Sequence, residues 1–150
     1  MIRLLKSENM PAPSPSIRQY CKQRGFSSRV CEGGLDYLVA RWQKDVAEIC
    51  AGYSALFDEY LDDMDGRKII AELLPLASDS ERAQVAALLP TLDAQFFEAT
   101  RPTDSCIWGE HNAAKYGFHP DQDWWYYRVP ANLGRVEDPG QWPHPASTGQ

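Results

Sequence analysis

At 150 residues, 43% of them hydrophobic, the chain is long enough to bury a core without disulfide staples, which excludes disorder throughout. Its 21 acidic and 15 basic side chains leave a net charge of −6, which argues against a nucleic-acid binder, because phosphate recognition needs a basic face. No stretch reaches the roughly 20 apolar residues of a membrane span, Ile2, Leu4 and Leu5 are too interrupted for an export signal, and the cysteines at 21, 31, 50 and 106 form no C-x-x-C pair; a cytoplasmic protein with reduced thiols is expected.

Residues 1–13 lack periodicity and end in a proline-rich string, so they read as a flexible leader. They belong to a basic arm. Residues 1–30 hold six Lys/Arg against Glu8 alone. A short helix is expected next, with Ser14 as N-cap, Pro15 at the first helical position and Gly25 as its stop.

Leu35 to Met64 carries apolar residues at gaps of one, three or four positions. That is the period of a helix with one buried stripe. Read as one long helix of roughly 45 Å, it is capped near Ser27 or Ser28, and Gly52 is its natural point of breakage. Cys50 falls on the stripe and reads as a core residue. The opposite face carries Arg41, Lys44, Asp45, Glu48, Asp58, Glu59, Asp62 and Asp63. Such crowding of carboxylates is unfavourable at a helix C-terminus. Pro75 closes the segment. Ser78 with Glu81 forms a capping box that opens another helix, in which Pro90 predicts a kink or two shorter pieces.

After residue 102 the chain becomes aromatic. Ser105–Gly109 and Asp123–Val129 suit short strands that can pair as a small ribbon, with Glu110–Tyr116 as a helical turn stopped by Gly117. If 124–127 alternate, Trp124 and Tyr126 face one way and Trp125 and Tyr127 the other. Residues 131–150 form a Pro/Gly-rich tail, leaving 14–130 as a single helical domain. The expected fold is mainly α: a bundle or hairpin of 3–5 helices around one long helix, with an aromatic, largely irregular C-terminal segment.

Three constellations could carry chemistry. Asp58, Asp62 and Asp65 at i, i+4, i+7 place three carboxylates on one helix face, suited to a protein partner with a basic surface. An EF-hand reading of Leu61–Glu72 puts Asp63, Asp65, Gly66 and Glu72 in register, but it has Leu61 where the first ligand belongs and Lys68 where an apolar residue belongs. Cys106, His111 and His119 lack the close ligand pair of a zinc site. No metal or other cofactor is therefore expected. Trp108, Trp124, Trp125 and Tyr126 are candidate binding residues, since Trp and Tyr dominate interface hot spots.

Phosphate-loop, GxSxG, HExxH and dinucleotide fingerprints are absent from the sequence. The leading functional expectation is a protein-interaction or regulatory module, inhibitor- or immunity-like, binding through its acidic face. The alternative is a small enzyme or ligand-binding protein with Glu110, His111 and His119 for proton transfer beside Trp124 or Trp125. A homo-oligomer sharing the apolar stripe is a third arrangement.

Overall fold

The thirty-residue apolar stripe folds as two helices with a break between them. The computed structural model describes residues 12–134 and 142–143; the leader, up to residue 11, and most of the tail lie outside this range. Among the described residues are five α-helices: α1 (Pro15–Arg24), α2 (Ser28–Gly52), α3 (Phe57–Leu73), α4 (Asp79–Glu98) and α5 (Glu110–Tyr116). A two-stranded antiparallel ribbon joins β1 (Thr100–Pro102) to β2 (Arg128–Pro130). The fold is mainly α. Helix α2 lies at its centre, in contact with α1, α3 and α4.

Gly25 ends α1 in the left-handed conformation, as expected of a glycine stop. Ser27 Oγ accepts the Val30 N–H and opens α2. Helical geometry then lapses at Gly34 (φ 60°), where a β-carbon would come within 2.8 Å of the Pro13 ring.

The break after α2 corrects the single-rod expectation. At Gly52 φ is +112°, a conformation open to glycine. Tyr53 leaves the helix to pair with the chain after β2: its N–H donates to Asn132 O at 3.0 Å, and its carbonyl accepts from Gly134 N–H. Residues 132–134 are thus tied to the helical body. The break also resolves the charge conflict. Asp58 and Glu59 lie in the first turn of α3, where the helix dipole favours carboxylates.

Helix α4 begins with the expected capping box. Glu81 N–H donates to Ser78 Oγ at 3.1 Å, and Ser78 N–H donates to Glu81 Oε1 at 2.8 Å. Ser78→Ala is expected to cost about 1 kcal/mol in urea unfolding. Glu81→Ala should cost more, because Glu81 Oε2 also accepts the Ser14 N–H. Of the two forms expected at Pro90, a kink or two shorter pieces, the second does not occur: α4 is one continuous helix through Pro90. Ala86 and Pro90 are both exposed, so the carbonyl that loses its donor lies on the solvent side.

The core gathers Leu38, Trp42 and Ile49 of α2, Tyr60, Met64 and Ile70 of α3, and Leu89, Leu92 and Phe96 of α4. The Trp42 and Phe96 rings lie 5.1 Å apart. Cys50 is exposed, correcting its assignment to the core. Trp142 is buried against the rings of Tyr53, Phe57 and Tyr60.

The aromatic segment differs from the expected strands. Trp124–Tyr127 is a 3₁₀ turn, so the neighbours Trp125 and Tyr126 are buried together and no two-faced alternation forms. Ser105–Gly109 is irregular; its Ile107 N–H donates to Tyr126 O. The ribbon forms instead from the flanking β1 and β2. Helix α5 and its stop at Gly117 (φ 73°) match the expectation.

Candidate functional site

Helices α1, α3 and α5 and the aromatic segment enclose a cleft of about 700 Å³, within the size range of small-ligand sites. Tyr20 and Phe26 come from α1 and the turn after it, Trp108 and Tyr116 from the start and end of the α5 region, and Phe118 and Tyr126 from the segment that follows. The charged groups are Arg24, Asp65, Lys68 and Glu72. On α3, positions 65, 68, 69 and 72 recur at helical spacing, so one face of that helix supplies the acidic and basic groups together.

The two cations are already engaged. Lys68 Nζ lies 2.7 Å from Asp123 Oδ1, a carboxylate that is itself buried. Arg24 pairs with Glu72 Oε1, which also accepts the Tyr20 hydroxyl at 2.6 Å. Burial and the Glu72 acceptor hold the Tyr20 phenol above its usual range.

Asp65 is arranged differently. Its Oδ1 accepts the Trp108 indole N–H at 3.1 Å and the Tyr126 hydroxyl at 2.6 Å. Among the described residues it forms no salt bridge. Burial raises its pKa, and the hydrogen bonds from Tyr126 and Trp108 offset that only in part. The cleft thus presents a half-buried carboxylate, fixed by two aromatic donors and in no salt bridge among the described residues, with the Arg41 charge as a more distant influence.

The other residues singled out from the sequence are dispersed. Asp58 and Asp62 are exposed, so the three-carboxylate row is divided, two members in water and Asp65 turned inward. Trp108 and Tyr126 line the cleft. Trp124 packs on Phe96 and Phe97 of α4. Trp125 is buried beneath the Arg67 guanidinium, 4.4 Å from its ring, and no ligand reaches it without opening the core. Glu110 caps its own loop by accepting the Cys106 N–H at 3.4 Å. His111 and His119 are exposed, and none of Glu110, His111 and His119 lines the cleft.

Sequence reasoning missed Tyr20 and Arg24, and it met Lys68 and Glu72 only within the EF-hand register. One signal was available: Asp65, Lys68 and Glu72 share a face of α3. The approach of α1 to that face is a tertiary fact with no local signature. Asp45, assigned to the polar face, is buried, and Arg67 and Asp93 were missed, although each occupies a core-register position, as in Leu38–Trp42–Asp45–Ile49 and Leu89–Leu92–Asp93–Phe96.

Among the described residues, no helix is long and apolar enough to cross a membrane. Compared with family models, curated proteins and solved structures, the chain matches none of them.

Proposed function

We propose that this protein is a binding module whose aromatic cleft receives an organic cation, presented as a Lys or Arg side chain of a basic protein partner. One observation supports this above the others: Asp65 forms no salt bridge among the described residues, while both cleft cations are paired. A ring-walled cleft adds cation–π attraction to that charge. Asp58 and Asp62, exposed on the same helix, favour the approach of a basic surface and make association sensitive to salt. Neither proton transfer nor a bound cofactor is part of this reading.

The test is an NMR titration with a short Lys- or Arg-containing peptide against its Gln-substituted counterpart, following the Trp108 indole N–H. The basic peptide should shift that resonance saturably, and added salt should weaken the binding. Asp65→Asn keeps an acceptor for Trp108 and Tyr126 but removes the charge. A charge-assisted hydrogen bond contributes about 1.5–3 kcal/mol, so affinity should fall by about tenfold or more. Equal responses to the two peptides, or none to either, would overturn the proposal.

A further inference from the structure

A second cleft, of about 500 Å³, lies where α2 meets the start of α3. Asp45 and Glu48 stand one turn apart on α2, and the break at Gly52 lets α3 turn back so that Asp63 joins them. One oxygen from each of the three carboxylates lies within 4.8 Å of the others. Oxygens that share one hard cation at bonds of 2.3–2.6 Å stand no farther apart than about twice that length. The Tyr53 hydroxyl donates to Asp63 Oδ2 at 2.7 Å and orients it.

Asp45 makes this more than a cluster of acids. Its side chain is only 8% exposed, and its Oδ2 is buried without a hydrogen-bond partner. Arg41 approaches without satisfying the group, its nitrogens 4.0 Å from Asp45 Oδ2 and 3.8 Å from Asp63 Oδ1. A buried carboxylate in this condition calls for a partner. The carboxylates lining the cleft (Asp45, Glu48, Glu59, Asp63) exceed its cations (Arg41, Lys44) by two charges, the charge of one divalent ion.

We propose that Asp45, Glu48 and Asp63 form a binding site for a hard divalent cation, Mg²⁺ or Ca²⁺, which clamps the α2–α3 junction. Carboxylate oxygens select these ions over thiolate-seeking metals, and the open side of the cleft leaves room for the waters that such ions retain.

The test uses the full chain after chelator treatment, titrated with Mn²⁺ and followed by the loss of the free-ion EPR signal, then challenged with Mg²⁺ and Ca²⁺. One Mn²⁺ site displaced by either ion is expected, with a raised unfolding temperature in its presence. Glu48 is exposed, so Glu48→Gln leaves folding intact and should weaken binding at least tenfold. Asp45→Asn should abolish it; if that variant does not fold, Glu48→Gln decides. The proposal is overturned by no bound Mn²⁺ at millimolar concentration, by binding indifferent to Glu48→Gln, or by a site lost instead with Asp58→Asn and Asp62→Asn.

Discussion

Replacing Asp93 with alanine is expected to lower stability by about 3–5 kcal/mol, a large share of the 5–15 kcal/mol that ordinarily holds a domain together. Asp93 grips Arg67 with both oxygens, at 3.0 Å from Nε and 2.9 Å from Nη2, and accepts the Trp42 indole N–H at 3.1 Å. Arg67 is 7% exposed and lies over the Trp125 ring. Truncation would leave its charge in the core with no carboxylate beside it. Arg67 Nη1 and Trp125 Nε1 are already buried without hydrogen bonds, so few local groups can take over. The network joins α2, α3, α4 and the 3₁₀ turn. Urea unfolding of three variants separates its parts. Asp93→Asn keeps an acceptor for Trp42 and should cost less than Asp93→Ala. The pair Arg67→Met with Asp93→Leu removes both charges and should recover most of the loss, since apolar replacements of buried ion pairs are often neutral or better. A cost below 1 kcal/mol for Asp93→Ala would mean that water reaches Arg67.

Periodicity located the helical segments because it records burial, and Gly25, Gly117 and the Ser78–Glu81 box marked ends that local chemistry alone determines. The break at Gly52 was visible as a glycine. Its necessity was not, since it depends on Asn132 and Gly134 reaching Tyr53 from eighty residues away. Trp124–Tyr127 satisfied strand propensity yet formed a 3₁₀ turn. β-Propensity describes fit to a half-buried pleated surface, and here Trp125 and Tyr126 are both drawn into the core. Asp65 was chosen for its i, i+4, i+7 row, but its distinguishing property, two aromatic donors on a carboxylate with no salt bridge among the described residues, rests on Trp108 and Tyr126. Those lie 43 and 61 positions along the chain. Spacing identifies which residues share a face, and tertiary contacts decide what that face meets.

Without added divalent cation, the stability of the protein should fall as pH rises from about 5 to 8, the reverse of common acid denaturation. Burial and the neighbouring Asp63 push the Asp45 carboxyl from 3.8 in the unfolded chain to about 7 in the native fold. Between those values the native state holds a proton that the unfolded state has released. The unfolded state therefore binds fewer protons, and unfolding free energy declines with pH. The contribution is fully present below about 4 and lost as pH passes through about 7, for a total of roughly 4 kcal/mol. Asp63 and Asp65, both raised chiefly by burial, act in the same direction. Glu81 acts in the other: burial would raise it, but the Ser78 and Ser14 hydrogen bonds outweigh that and lower it. Urea unfolding across the range, wild type beside Asp45→Asn, isolates the term. Asn keeps the shape and cannot ionise, so the variant should be flatter with pH and more stable than wild type at pH 8. A level wild-type curve, with no gain from Asp45→Asn at pH 8, would mean that the Asp45 charge is compensated at every pH. Arg41 would then be closer to it in solution than the 4.0 Å seen here.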